Sequence, residues 1–311
     1  MKKSVAVLLI LCMVFGVCLI PSAAANSGDI GKKLHWSIPS GGGILSITGT
    51  GDTIPDYSRS NPAPWAAYAA SITDISLTKS IKHIGAFAFY GCANLQKMDL
   101  ITALNQDRLS IESLGESSFE GCGIQSIQIP YTVSVVPKYC FAWCESLREV
   151  VFKEIRYGGL DTEVKEGVRD IGEGAFEGCT ALTAAASIRN QEARQEQFPT
   201  TLETIGKNAF SGCESLAAVK FYDNGKDITC LGAGAFNNCR ALNSISLPVG
   251  ITEVSQECFM STGLTALKLP ANITRVGEDA FAFCTALKYA DVYNNACSFF
   301  EGEETIPDQT V

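Results

Sequence analysis

"IGEGAFEGCTAL" occupies residues 171–182, and "IGKNAFSGCESL" repeats its frame at residues 205–216. Taken alone, the glycine-flanked cysteine of either stretch is a candidate reactive thiol. Aligned on its phenylalanine, the frame recurs eight times, at Phe89, Phe119, Phe141, Phe176, Phe210, Phe236, Phe259 and Phe281. The intervals are 30, 22, 35, 34, 26, 23 and 22 residues, so a unit of 22 or 23 carries insertions in four places. The residue before each Phe is small: Ala88, Ser118, Cys140, Ala175, Ala209, Ala235, Cys258 and Ala280. A Leu or Ile follows by six residues, or by five where Gly123 and Gly263 precede it, and those glycines are expected to take a tighter backbone path.

Beyond that Leu, apolar residues alternate with polar ones, as in "IQSIQIP" (124–130), "LNSISLP" (242–248) and "LTALKLP" (264–270). Period-two alternation closed by proline is the signature of a half-buried strand. Each repeat therefore predicts one strand, a turn, a short helical or 3₁₀ turn holding the Ala-Phe pair, and a return. One such unit cannot bury its own apolar face, so the units must stack. The period lies within the leucine-rich-repeat range. The expected fold is a β-rich leucine-rich-repeat solenoid of about eight rungs, roughly 40 Å long at ~4.8 Å per rung.

Cysteine follows the Phe by three residues in seven repeats: Cys92, Cys122, Cys144, Cys179, Cys213, Cys239 and Cys284. Thr262 takes the slot in the remaining one. A catalytic thiol needs a single electropositive environment and a base, yet this one recurs rung after rung, with only His35 and His83 in the whole chain. The cysteines read as small buried fillers. No C-x-x-C pair or His cluster suggests a metal, no P-loop follows the glycines, and no cofactor is expected. Cys230 and Cys297 lie outside the pattern and are the places where a disulfide is most expected. The frame's first glycine (Gly85, Gly115, Gly172, Gly206, Gly232, Gly277) is replaced by Pro137 and Ser255 in two repeats. Proline holds φ near −65°, so close packing rather than a left-handed backbone explains this glycine.

Four regions follow. Residues 1–25 read as a secretory signal, with Lys2 and Lys3, an apolar run from Val5 to Ile20 and the small residues Ala23 to Ala25. The run is shorter than the ~20 residues a spanning helix needs. Residues 26–75 form an N-terminal module, a β-hairpin turning on Gly41 to Gly43 that caps the stack with Trp36, Tyr57 and Trp65; the rival reading makes those aromatics a sugar platform. Residues 76–293 are the repeats, and 294–311 a tail or partial cap. Inside the repeats, 153–170 suggests a solvated hairpin, and 183–198 has the composition of a short surface helix.

The unit I-G-x-x-A-F-x-x-C-x-x-L, its strand ending in I-P or L-P, and the entry segment "GGILSITGTG" (42–51) resemble the BspA-like leucine-rich-repeat proteins over roughly residues 34–293. The resemblance implies a secreted or cell-surface protein, without catalytic residues, that engages host matrix proteins or other cells.

The formal charge of −9, or −11 without the two signal lysines, disfavours nucleic acid and anionic membranes. No second apolar run predicts a membrane span in the mature chain. The expected function is a non-catalytic extracellular adhesion or binding module for a protein or glycan, acting through its strand face and inserted loops. Candidate contact residues on that face are Lys97, Asp99, Gln125, Gln128, Arg148, Lys220, Lys268, Lys288 and Asp291. A polysaccharide-active enzyme, which would need paired carboxylates, and a passive assembly component are the alternatives.

Overall fold

The computed structural model describes residues 26–98, 100, 111–157, 164–189, 197–221, 227–294 and 296–299. The expected signal segment, Asp99 and most of the C-terminal tail lie outside the described residues.

Most rungs contribute to two columns of parallel strands. In the first column the strands are two residues long: Asp170–Ile171 pairs with Val135–Val136 on one side and Thr204–Ile205 on the other, and Thr204–Ile205 continues to Cys230–Leu231. The second residue of each pair points inward, so Val136, Ile171, Ile205 and Leu231 are all buried. The second column holds the strands that follow the Leu, with Glu149–Tyr157 between Ser126–Ile129 and Ala184–Arg189. Between the columns the Phe side chains form one continuous stack, with centroids 5.2–5.6 Å apart along all eight rings. From Phe119 onward neighbouring planes lie within 12° of parallel. Offset ring pairs of this kind contribute ~0.5–1.5 kcal/mol each beyond the area they bury.

The stack has a built first member. Trp65 lies 6.0 Å from Phe89 with its ring 26° from parallel, and its indole N–H donates to the Ala88 carbonyl at 2.8 Å. Trp36 and Tyr57 meet Trp65 edge-on. Trp36 and Trp65 are buried, which removes the sugar-platform reading of these aromatics. The hairpin of Leu34–Ser37 and Gly43–Gly49 is joined by Ser27–Ile30 on one edge, and on the other by Ile72–Leu77, which pairs in parallel and so carries the module's sheet across residue 75.

The thiols have a specific task. Each donates to the Phe carbonyl of the preceding rung: Cys122 to Phe89 at 3.1 Å, Cys144 to Phe119 at 3.1 Å, Cys179 to Phe141 at 3.2 Å, Cys213 to Phe176 at 3.3 Å and Cys239 to Phe210 at 3.2 Å. The same carbonyls accept the backbone N–H of their own rung's cysteine, as Phe176 does from Cys179 at 3.2 Å. A small apolar group with one weak donor is what this slot requires. Thr262 satisfies it by donating to Phe259 of its own rung at 2.9 Å. Burial pushes the thiols of Cys144 and Cys239 up to about 12, and raises those of Cys122, Cys179 and Cys213 well above the ordinary range. Cys230 and Cys297, the places where an occasional bridge was most to be expected, are free, as are the other nine described cysteines. The strand pairing explains it: Cys230 belongs to the first column, beside Thr204, and points outward. Native iodoacetamide labelling followed by mass spectrometry should therefore modify exposed Cys230 first and half-buried Cys297 next. The nine buried thiols should react only in denaturant; equal rates at Cys179 and Cys230 would refute the assignment.

Three expectations need correction. Residues 183–198 do not begin a helix: Ala184–Arg189 is a strand in register with Glu149 to Glu154. Six ladder partners offered by the neighbouring rung override the helix preference of an Ala-rich run. The Ala-Phe segment is a run of hydrogen-bonded turns rather than a helical turn, interrupted by left-handed residues on both sides of the Phe. Gly123 and Gly263 keep φ out of the left-handed range; a Cβ there would come within 2.1 Å of the Ala93 carbonyl oxygen and 2.4 Å of that of Arg240, so they are glycine because the chain beneath is close. The same crowding holds for the frame glycines, as at Gly115, where a Cβ would lie 2.2 Å from Ala86 N. Insertion 153–170 does carry an antiparallel pair, Ile155 with Glu166 through Tyr157 with Val164.

Candidate functional site on the loop face

The loops that carry the Phe ladder are knit from rung to rung by their backbones. Tyr139, Phe141 and Trp143 donate their N–H groups to the carbonyls of Glu173, Ala175 and Glu177 at 2.9, 2.8 and 2.6 Å, and the neighbouring rungs repeat the pattern. Reaching across in this way puts the residues two before and two after each Phe in the left-handed region. Glycine and asparagine suit such positions, and Gly91, Gly121, Gly178, Gly212 and Asn238 fill the later one. Four bulky aromatics break the rule: Phe87 at φ 53°, Tyr139 at 51°, Trp143 at 58° and Phe283 at 57°. A bulky side chain held there is a backbone outlier costing on the order of 1–3 kcal/mol, and such outliers cluster at functional sites.

Two of the four share a rung, and that rung faces glycines. A Cβ added at Gly178 would lie 2.4 Å from Trp143 Cε3 and 2.8 Å from both of its ring neighbours, Cδ2 and Cζ3. An atom so placed is above the ring plane, so the indole rests face-on against Gly178. The residue is 53% exposed, and neither Gly121 nor Gly91 approaches the indole, so the face turned away from Gly178 is the open one. Tyr139 lies against Gly174 in the same way, but by its Cδ1–Cε1 edge. Lys138 sits 5.1 Å over the Tyr139 ring and pairs with Glu173 at 2.9 Å, which holds the Glu173 carboxyl below its ordinary range.

Toward the N-terminal module the same face deepens. A cavity of about 470 Å³ lies between the 58–69 segment and the first rung, walled chiefly by Pro62, Trp65, Ala66, Phe87 and Tyr90. Arg59 stands at its rim, 5.1 Å over the Tyr90 ring and 2.8 Å from the largely buried carboxylate of Glu120. Glu120 and Glu177 follow Phe119 and Phe176 and flank buried Ala142 of the rung between. Burial raises the Glu177 carboxyl, and Glu173 and Glu120 add to the effect.

The strand face is plainer. Lys97, Gln125, Gln128, Arg148, Lys220, Lys268, Lys288 and Asp291 are all exposed, while Asp99 lies outside the described residues. They do not converge. Gln125 and Arg148 are adjacent in one row, and Lys268 and Asp291 are register partners in another. The second row also contains Val151, beside Gln128, and Ala186; both are buried, so the polar surface is interrupted in mid-stack. The loop-face residues were missed because cross-rung contacts do not show in linear spacing. Their one sequence signal is Trp143 in a slot where other rungs carry glycine.

The model of the BspA type leucine rich repeat region matches residues 66–159 and 186–301, in 6 copies. The chain belongs to the BspA-type leucine-rich-repeat family. Proteins of this family are non-enzymatic repeat proteins, typically of the cell surface, and leucine-rich-repeat proteins in general bind other proteins. Among solved structures, a leucine-rich repeat protein from Eubacterium ventriosum is similar at 18% identity and a TM-score of 0.50, covering 86% of this chain and 72% of that one. A leucine rich repeat protein of T. pallidum shares 22% identity, with a TM-score of 0.40 and coverage of 69% and 90%. A leucine rich cell surface protein from Faecalibacterium prausnitzii shares 19%, with a TM-score of 0.31 and coverage of 89% and 98%. At these identities the likeness concerns the fold. No curated protein matches the chain. Among the described residues no helix is long and apolar enough to cross a membrane, and no group of three metal-ligating side chains is assembled.

Proposed function

We propose that this BspA-type protein is a non-catalytic binding module of the cell exterior that holds an extracellular protein or glycan, and that the loop face of its first four rungs is the principal contact surface. The observation that supports it is Trp143: a large apolar side chain, half in solvent, kept at a strained backbone position and braced by a neighbouring glycine. A solenoid gains no stability from such a residue where glycine serves other rungs, and rigid aromatics held at a surface are the usual anchors of recognition. The strand face and the 149–166 hairpin remain available as a flanking surface.

The test is a screen of the full secreted chain against immobilised matrix proteins and glycans, with two variants. Saturable binding that Trp143→Gly weakens, and that the triple replacement of Lys220, Lys268 and Lys288 by Ala leaves intact, is the expected result. Binding lost only in the lysine variant would move the site to the strand face. Turnover of a labelled polysaccharide, or concentration-dependent self-assembly with no saturable ligand, would overturn the binding-module assignment.

A further inference from the structure

Resting on that assignment, the chemistry of the loop face narrows the ligand. Beside Trp143, the slot two residues after the Phe holds Gly121 and Gly91, and both leave open space: a Cβ at Gly91 would meet nothing within 4 Å, and one at Gly121 only the Gly91 backbone, at 3.7 Å and 4.0 Å. The result is an open trough. Trp143 stands at one end, Tyr90 and Arg59 at the other, and the Arg59–Glu120 pair runs along the row beside it. Glu177 precedes the glycine that carries the indole; its Oε2 lies toward Gly174, 3.1 Å from where a Cβ there would stand, and among the described residues its carboxylate has no hydrogen-bond or ion-pair partner.

We propose that this trough binds a saccharide, with one pyranose ring stacked on the solvent face of the Trp143 indole and its hydroxyls held by Glu177 and by the Arg59–Glu120 pair. A pyranose is amphipathic in the matching sense. Its C–H face is apolar and flat, and its rim is a ring of hydroxyls that donate to a carboxylate and accept from a guanidinium. Arg and Glu hydrogen-bonded to each other present such a donor and acceptor side by side.

Other ligand classes fit less well. An extended peptide adds to a surface through unpaired backbone N–H groups, but those of Phe87, Phe89 and Gly91, like those of Tyr139, Phe141 and Trp143, are already spent on the next rung. An organic cation is favoured by rings that converge around it, whereas this indole lies flat with a single open face. Phosphate-bearing ligands face Glu116, Glu120, Glu173 and Glu177 on the same loops of a chain with net charge −9.

Of the 3 tryptophans only Trp143 is exposed, so its fluorescence reports directly on the trough. Neutral oligosaccharides (a β-1,4-glucan hexamer, a chitin hexamer and an α-mannan fragment) are titrated into the full chain, with emission and acrylamide quenching as readouts, followed by a wider glycan array. A saturable emission shift with protection from quenching by at least one glycan is expected. Trp143→Gly should weaken calorimetric binding of that glycan at least tenfold, and Glu177→Gln severalfold. Trp143→Gly is safe for the fold because four other rungs carry glycine in this slot at φ of 70–73°; its melting temperature should match the parent's or exceed it. A glycan bound equally by parent and Trp143→Gly, or no glycan bound by the parent, overturns the saccharide assignment. If a protein partner is then bound and lost in Trp143→Gly, the binding-module assignment survives and only its ligand class changes.

Discussion

Above about pH 9 the protein should lose its fold over roughly one pH unit, far more steeply than a domain whose stability depends on a few titrating groups. The cause is the thiol ladder. Burial raises the thiols of Cys122, Cys140, Cys144, Cys179, Cys213, Cys239 and Cys258 well above the ordinary range, those of Cys144 and Cys239 to about 12. An unfolded cysteine titrates near 8.5. Below that pH both states hold the proton, and these groups leave stability unchanged. Above it the unfolded chain releases protons that the folded chain keeps, so stability falls as pH rises, until the folded thiols themselves titrate. Each thiol removes roughly 1.4 kcal/mol per pH unit in that window. Seven together remove on the order of 10 kcal/mol, comparable to the whole stability of a typical domain. Circular dichroism against pH, in the presence of reductant, should show a cooperative alkaline transition with a midpoint between pH 9 and 10.5. Replacing Cys179 and Cys213 by Ala should make it shallower by about two protons. A fold that persists to pH 12, or a transition of single-proton steepness, would mean that the thiols are hydrated.

Much of this arrangement was legible in the chain because eight imperfect copies test each other. The recurrence of Phe176 and its seven equivalents marked the core stack, and Pro137 in a glycine slot excluded a left-handed requirement there. What escaped was whatever one rung does to the next. Ala184–Arg189 reads as a helix until the ladder donors and acceptors of Glu149–Tyr157 are beside it. The thiol-to-carbonyl bonds join residues 25 to 38 apart in the chain, as do Cys144 with Phe119 and Cys179 with Phe141, and no local pattern announces them. The trough escaped for the same reason. Alternation along a strand is visible in one line of sequence and drew attention to Lys268 and Asp291, whereas the seat of Trp143 on Gly178 exists only when two rungs are laid side by side.

Stacking also sets where the molecule is weakest to mutation. Phe210→Ala should destabilise the protein by about 3–5 kcal/mol, near the upper range for a large-to-small core change. Phe210 is fully buried and touches three rings: Phe176 at 5.2 Å and Phe236 at 5.6 Å in the stack, and Phe198 edge-on at 5.5 Å. Phe281→Ala removes the same side chain from the last rung, where Phe259 is its stacking partner and its surface is 4% exposed, so the loss should be visibly smaller. The contrast follows from one-dimensional coupling. In a solenoid each rung is stabilised by its neighbours, so a defect in the middle of the ring stack breaks two ring contacts and a defect at its end only one. Phe210→Ala should therefore also split the denaturant transition, with hydrogen exchange showing early loss of protection at Thr204–Ile205 and at its two register neighbours, Asp170–Ile171 and Cys230–Leu231, while rungs farther away hold longer. Equal destabilisation by the two substitutions, with a single sharp transition in both, would show that the rungs unfold as one block rather than as coupled neighbours.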